Sequence, residues 1–371
     1  MKNFNKIIDL FSGVGGLSLG AARADFTVQC AVELDAKASK FHAINFPGSV
    51  HIEEDVAQLS GKELLHRAGI DAKSLAGLIG GPPCQGFSEI GHRSAVDPRN
   101  TLVLEFFRLV AETKPAFFLA ENVPGILDKR NSEILGSALS RIPDNYEVLD
   151  PILVKASDYG APTRRTRVFF YGYDPERVNT LTVADFAPNR KADVRVKRAL
   201  AELPKLRSTW LAEEQSWRAV GSLGKSAYAR SITDNVPTGI GNAEALELYK
   251  RKRVASGFLG TQHEAATVKR FDALKHGERD RISKGMRLDP EGYCPTLLAG
   301  TGPERGSYQA IRPIHPTSPR VICPREAARL QGFPDWFQFH PTKWHAFRQL
   351  GNSVSPIVAE SLLGKIRAAI A

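Results

Sequence analysis

The stretch Gly80-Gly81-Pro82-Pro83-Cys84-Gln85-Gly86-Phe87-Ser88 concentrates reactive and rigid residue types in one short segment. Two glycines and two prolines cannot continue a regular strand, so they fix a loop that carries the Cys84 thiol beyond the end of a sheet. A structural cysteine has little need of so rigid a surround, whereas a nucleophilic thiolate has to be aimed. The other cysteines, Cys30, Cys294 and Cys323, stand among apolar or proline neighbours and read as packing residues. No two of the four form a CxxC pair, so neither a zinc site nor a disulfide framework is expected, and no metal is assigned. A reduced, intracellular compartment is the matching expectation.

A second segment with chemical potential is Asp9-Leu10-Phe11-Ser12-Gly13-Val14-Gly15-Gly16, which follows an apolar run and opens a helical pattern. Glycines there let a ligand approach the backbone, and a helix N-terminus offers unpaired N–H groups. An acidic residue roughly 20 positions further on can hold ribose hydroxyls, and Glu33 fits that place. Asp55 could accept a hydrogen bond from an adenine amine. The GxGG spacing, with Phe11 before it, departs from the GxGxxG of dinucleotide sites. At this level an NAD-type site, another nucleotide site and a tight strand–helix turn all remain open. Glu121 ends the run FFLAE and precedes Asn122-Val123-Pro124, a strand-end acid in a constrained setting.

These groups need a scaffold that brings strand ends together. Residues 6–11, 28–34, 77–80, 116–120, 148–154 and 167–171 read as strands, and residues 17–24 and 102–112 as helices. Such alternation predicts an α/β fold with a doubly wound, largely parallel sheet, whose ligands sit at the carboxyl ends of the strands. Asp9, Glu33, Cys84 and Glu121 all fall at or near such ends. From about 180 to 318 the alternation stops, which predicts a second, smaller domain; residues 324–330 and 356–369 return to helical patterns.

The formal net charge is +10, unevenly spread. Residues 1–184 carry 20 basic and 22 acidic side chains, residues 185–320 carry 24 and 15, and residues 321–371 carry 6 and 3. The excess sits where a polyanion would be met, although a solvated basic surface is the other reading. No run approaches the ~20 apolar residues of a membrane span, and the first residues, MKNFNKIIDLFSG, carry no leader pattern.

Taken in order, Phe11-Ser12-Gly13-Val14-Gly15-Gly16, Pro82-Pro83-Cys84-Gln85, Glu121-Asn122-Val123 and Gln349-Leu350-Gly351-Asn352-Ser353-Val354 resemble the DNA (cytosine-5) methyltransferase family of bacterial restriction–modification systems. The likeness runs from about residue 7 to 172 and from about 320 to 367. It implies a Rossmann-like, S-adenosylmethionine-dependent methyltransferase sheet over residues 1–184 and 345–371. A target-recognition domain with its hinge is then expected over 185–344, with readout mainly in 185–318. The implied activity is sequence-specific: cytosine is flipped out of double-stranded DNA, Cys84 attacks carbon 6, and carbon 5 takes a methyl group. The implied donor is S-adenosyl-L-methionine, with S-adenosyl-L-homocysteine as product and no metal.

Residue by residue, the resemblance makes Cys84 the nucleophile and Glu121 the partner of the base N3, with a raised pKa expected in a closed pocket. Asn122 would order the loop. Ala161-Pro162-Thr163-Arg164-Arg165-Thr166-Arg167 resembles the family's QxRxR block: Arg165 would polarise the base O2 and steady Glu121, and Arg167 would hold nearby structure or phosphate. Thr163 stands where glutamine is usual, which puts that residue's contact in doubt. The donor site would comprise Asp9, Phe11 stacked on adenine, Ser12, Gly13, Gly15, Gly16, Glu33, Leu34, Asp55, Val56, Pro82 and Leu102. Asn352, Ser353 and Val354 would fold back beside the glycine loop.

Gln85 to Asn100 would form a loop that closes over DNA, hinged at Gly86 and Gly91. Gln85, Ser88 and Arg99 are its expected DNA contacts, and His92 and Arg93 face phosphate. Thr296-Leu297 resembles the short TL element of the family's recognition domain, and Arg287 and Arg305 are the expected base-contacting arginines. Lys250 to Arg253 reads as a solvated or phosphate-facing helix surface. Expected partners are double-stranded DNA and a cognate restriction endonuclease, with the enzyme acting as a cytoplasmic monomer. The rival readings are an RNA cytosine-5 methyltransferase and a non-catalytic DNA-binding regulator, against which intact Cys84, Glu121 and Arg165 argue.

Overall fold

The computed structural model describes residues 4–83, 101–188, 193–207, 209, 216–221, 227–300 and 310–370. Cys84, Gln85, Ser88, His92, Arg93, Arg99 and Arg305 lie outside these residues. The chain divides into two compact units: residues 1–155, 166–189 and 358–371 form the first, and residues 156–165 and 190–357 the second. The sequence reading gave 345–371 wholly to the first domain. Residues 343–352 instead pack within the second unit, where the Gln331 side chain donates to the Leu350 carbonyl.

The first unit is built on one sheet. Its strands are β1 (Lys6–Leu10), β2 (Thr27–Val32), β3 (Val50–Ile52), β4 (Leu75–Gly80), β5 (Phe117–Asn122), β6 (Glu147–Val148), β7 (Ile152–Lys155) and β8 (Thr166–Tyr173). They run in the order β3-β2-β1-β4-β5-β8-β6, with β7 also paired to β8. The pairs from β3 to β5 are parallel, and β8 is antiparallel to β5, β6 and β7. A single strand over 148–154 was expected; Asp150-Pro151 interrupts it, since proline cannot donate to a ladder. The central strands are buried on both faces, which explains their continuous apolar runs.

Helices α1 (Gly16–Arg23), α2 (Ala36–Asn45), α3 (Gly61–Ala68), α4 (Leu102–Thr113) and α5 (Ser132–Leu139) fill the crossovers. Side chains alternate along β1. Ile8 and Leu10 join Leu64, Phe106, Phe107 and Phe118 in one core, while Asp9 turns to the face of α1, where it meets Ser18. The unit's last element is α12 (Pro356–Ala369), which belongs to it from Val358 onward. There Gly20 lies so close to α12 that a Cβ on it would sit 2.2 Å from the Ala359 Cβ. Asn179 N–H completes the join by donating to the Ala369 carbonyl.

The second unit contains α6 (Val196–Leu200), α7 (Ala227–Thr233), α8 (Ala243–Lys252), α9 (Ala265–Asp272), α10 (Pro324–Gln331), α11 (Lys343–Asn352) and a two-stranded pair, β9 (Arg218–Ala219) with β10 (Val254–Ala255). Its centre is α10, every residue of which is buried although the segment reads PREAARLQ. The charges are matched inside. Arg320 grips Glu326 with two nitrogens at 2.9 and 2.7 Å, and Arg325 donates to the carbonyls of Ser256, Pro334 and Phe337. Arg329 holds both oxygens of Asp335 at 2.7 and 2.6 Å and reaches the carbonyls of Ala199 and Ala201.

A buried charge left alone is costly, so Arg329→Ala should destabilise the chain by about 3–5 kcal/mol in denaturant unfolding. Arg329→Met with Asp335→Leu should recover part of the loss, because it removes both charges together. A single substitution as mild as the pair would refute this account of α10.

Candidate active site

The carboxyl ends of β1, β2, β4 and β5 carry the groups singled out in the sequence. After β1 the chain turns through Phe11 (φ 56°), Gly13 (φ 56°) and Gly15 (φ 101°) before entering α1. A left-handed phenylalanine is uncommon, and such strain concentrates at functional loops. Glu33, just past β2, accepts the Gly13 N–H on one carboxylate oxygen and the Asp35 N–H on the other, both at 2.8 Å. The sequence reading gave Glu33 to a ribose; its two backbone bonds show that it also holds the loop. Leu34 beside it is 66% exposed, an apolar side chain that the described protein leaves mostly uncovered.

Asp55 caps the following short turn through the Ala57 N–H at 3.0 Å. Val56, expected at the donor site, is buried in the hydrophobic core, so its side chain serves packing. Leu102 begins α4 and is half-buried. The Ser12 hydroxyl is buried with no hydrogen-bond partner among the described residues.

Beneath the loop lies an arrangement the sequence reading missed. Asp9 is fully buried and accepts the Ser18 hydroxyl at 2.5 Å. Ser18 Oγ is 3.0 Å from His42 Nε2, and His42 Nδ1 is 2.9 Å from His51 Nε2. His42 also stacks on Phe46, whose ring packs against Gly15. Burial, helped by the Glu33 charge, pushes the Asp9 carboxyl up to about 7 against the pull of the Ser18 hydroxyl. Burial, then His51, holds the His42 imidazole well below its ordinary value, and burial lowers His51 too. Three residues at scattered positions give no local signal; the fold alone brings them to Asp9.

The strap that leads to Cys84 is tied to the end of β5. A Cβ on Gly81 would lie 3.1 Å from Glu121 Oε2, and Asn122 Nδ2 donates to the Pro82 carbonyl at 3.3 Å. Asn122 Oδ1 also accepts the Val123 N–H at 2.8 Å, so this one side chain orders both segments. Glu121 is buried, and its Oε1 lies 2.7 Å from Arg167 Nε. The approach is an ion pair by distance without hydrogen-bond alignment. Arg167, left by the sequence reading to nearby structure or phosphate, thus stands at Glu121, the place first given to Arg165. The register explains it: Glu121 and Asn122 lie opposite Phe169 and Val168 on β8, and Arg167 is the next residue back along that strand. Cys30, Cys294 and Cys323 are buried thiols whose pKa burial raises, to about 12 for Cys30.

The remaining site residues belong to the second unit. Arg165 is buried and donates to the Gly351 carbonyl at 2.8 Å, with the Leu297 carbonyl at 3.5 Å. Gly351 needs its bare Cα, because a Cβ there would meet Ala299 N at 2.4 Å. Thr163 is fully enclosed, pairs through its backbone with Cys294 in an isolated β-bridge, and its hydroxyl has no hydrogen-bond partner among the described residues. Asn352 is exposed, Val354 is buried, and the Ser353 hydroxyl is spent on the Gln349 carbonyl.

Two residues expected to contact DNA have structural contacts of their own. Arg287 donates to the carbonyls of Phe271, Asp272, Leu274 and Pro316, closing the end of α9, which commits its guanidinium to the fold. The Leu297 side chain is 2% exposed and packs in the interior. Thr296 is half-buried, and Lys250 to Arg253 are exposed at the end of α8.

The C-5 cytosine-specific DNA methylase family model matches residues 5–368. The type II methyltransferase M.XorII of Xanthomonas oryzae pv. oryzae is 38% identical over 98% of this chain and 84% of that protein. M.DdeI of Desulfomicrobium norvegicum, also a type II methyltransferase, is 31% identical over 97% and 88%. A solved structure described as a prophage-encoded DNA modification methyltransferase of E. coli shares 47% identity over 98% of this chain and 99% of that one, with a TM-score of 0.87. The S. pombe Dnmt2 methyltransferase, at 16% identity and a TM-score of 0.63, shares the fold. With these comparisons beside the strand-end geometry, the chain belongs to the C-5 cytosine-specific DNA methylases and is a DNA cytosine-5 methyltransferase.

Proposed function

We propose that the enzyme flips a cytosine out of duplex DNA and methylates it through a covalent Cys84 adduct, with S-adenosyl-L-methionine as donor. The observation that carries this reading is the strap: Gly81 and Asn122 hold the segment entering Cys84 against Glu121. The Cys84 thiolate adds to carbon 6, and the ring electrons pass toward N3 and carbon 5. Glu121 holds a proton at N3 for the adduct, and Arg167 fixes its carboxylate. After carbon 5 is methylated, its proton leaves, the sulfur–carbon bond breaks and the thiolate is released. The burial of Cys30, Cys294 and Cys323, with their thiols pushed toward the inert neutral form, supports Cys84 as nucleophile.

The donor fits the first unit. The exposed Leu34 offers an apolar face to an adenine, and at Gly13 nothing of the described protein lies within 4 Å of where a Cβ would stand. Glu33 and Asp55 supply the acceptors a ribose and an adenine amine require. When bound, the donor supplies an electrophilic methyl group on a sulfonium. Asp9, Ser12, Gly16, Pro82 and Leu102 complete this proposed site; the roles of Arg165 and of Asn352, Ser353 and Val354 rest on the family resemblance.

Sequence choice falls to the basic second unit. There Arg312, stacked 4.0 Å over Phe347, donates to the Leu298 carbonyl at 3.0 Å and steadies the segment after Thr296. The described residues contain no helix long and apolar enough to cross a membrane. The type II names of the relatives fit a cytoplasmic restriction–modification role with a cognate endonuclease. A monomer in solution is the accompanying expectation, and a dimer in light scattering would overturn it.

Cys84→Ser should lose methyl transfer while retaining duplex binding. DNA containing 5-fluorocytosine should trap the chain covalently, because fluorine cannot leave carbon 5 as a proton does. Mass mapping of that adduct to any cysteine other than Cys84 would refute the mechanism. Labelled transfer to transfer RNA rather than duplex DNA would establish the RNA reading instead. Arg167→Met should lower kcat by roughly 10- to 1000-fold with donor affinity unchanged. A change confined to donor affinity would remove Arg167 from the Glu121 role.

A further inference from the structure

Asp9 and Ser18 stand on either side of the glycine loop, one in β1 and one in the first turn of α1. Their hydrogen bond closes the loop's two ends, and it continues through His42 to His51 on β3, which is only half-buried. The second Asp9 oxygen is buried with no hydrogen-bond partner among the described residues. The family reaction uses none of these four groups as nucleophile or base partner. We propose that Asp9, Ser18, His42 and His51 form a reversible proton chain that sets the charge beneath the glycine loop, and that this charge makes the loop favour the cationic donor over its neutral-sulfur product. The second half of this inference rests on the loop being the S-adenosylmethionine site.

Hydrogen-bond counting allows two complete orders. In the first, Asp9 is ionised: the Ser18 hydroxyl donates to Asp9, His42 Nε2–H donates to Ser18, and His51 Nε2–H donates to His42 Nδ1. In the second, Asp9 is protonated: it donates to Ser18, Ser18 donates to His42 Nε2, and His42 Nδ1–H donates to His51 Nε2. A proton taken up at His51 Nδ1 converts the first order to the second by one transfer along each bond. Both imidazoles stay neutral in either order, which their burial favours. Every donor within the chain keeps a partner throughout, so the charge on Asp9 changes without breaking a link; only the second Asp9 oxygen stays unpartnered among the described residues in both orders.

The other titratable groups acting on Asp9 are Glu33 at the end of β2, which raises its affinity for a proton, and the buried Cys30 thiol on β2. Its β4 neighbour across the pairing is Ile79. Asp9 changes charge near pH 7, so above that pH the ionised carboxylate favours a sulfonium and below it the preference fades. Loss of the sulfonium charge on methyl transfer then favours proton uptake by Asp9 and release of product.

Two measurements on the full chain test this. In the ligand-free protein labelled with 15N in histidine rings, the His42 shifts should report Nε2–H above about pH 7 and Nδ1–H below it, neutral at both ends. His51→Phe should lock His42 as Nε2–H, since Nδ1–H would lose its acceptor. One fixed His42 tautomer in the unaltered protein across pH 5.5–8.5, a window of roughly 1.5 units about the Asp9 midpoint, would overturn the chain. By calorimetry, the ratio of S-adenosyl-L-homocysteine Kd to S-adenosyl-L-methionine Kd should rise roughly 3- to 10-fold across neutral pH and stay flat in Asp9→Asn. The groups common to both ligands cancel in that ratio. A flat ratio in the unaltered protein, with both ligands bound, would overturn the charge preference. Failure of either ligand to bind at any pH would instead overturn the loop as donor site, leaving the ring measurement to judge the chain.

Discussion

The closeness of β4 to its two parallel neighbours is the constraint on which the site depends. A Cβ on Gly80 would meet the Leu10 carbonyl at 2.5 Å, and one on Gly77 would meet the Phe117 ring at 2.3 Å. Only bare backbone lets β4 lie between β1 and β5 at this spacing. The approach continues one residue further, where Gly81 passes Glu121 Oε2. The segment that enters Cys84 is therefore placed by bare glycine backbone lying against the Leu10 carbonyl and against the Glu121 and Asn122 side chains.

Around that constraint the first unit uses polar groups sparingly and doubly. Glu33 ties Gly13 and Asp35 with its two oxygens, and Asn122 ties Pro82 and Val123 with its amide. Each stops a loop from sagging while leaving apolar surface, such as Leu34, for a ligand. The second unit solves a different problem. Its α10 carries two buried arginines, Arg325 and Arg329, and its Glu326 holds a third, Arg320; each is satisfied by carboxylates or carbonyls, so charge is used there to specify packing.

The sequence was most legible where chemistry demanded rare residue combinations. Pro-Pro-Cys, the glycine loop and Glu-Asn-Val were readable because each breaks ordinary strand or helix patterns at a strand end. The doubly wound sheet was legible from alternating apolar runs, since strands buried on both faces need continuous hydrophobicity. Less legible was the split of residues 148–154 by Asp150-Pro151, although the proline was visible.

Partners of buried polar groups were the least readable, because hydrogen-bond geometry depends on register. Residue type and spacing determined an α/β sheet with the Cys84 segment, Glu121 and a glycine loop at expected strand ends, and the resemblance those motifs carry pointed to the methyltransferase family. Tertiary structure decided that Arg167 meets Glu121, that Arg287 closes the end of a helix, and that His42 and His51 extend Asp9 toward the surface. The physical reason is range: local patterns record what a residue does to its own backbone. A buried charge instead finds its partner wherever the fold brings one within hydrogen-bonding distance.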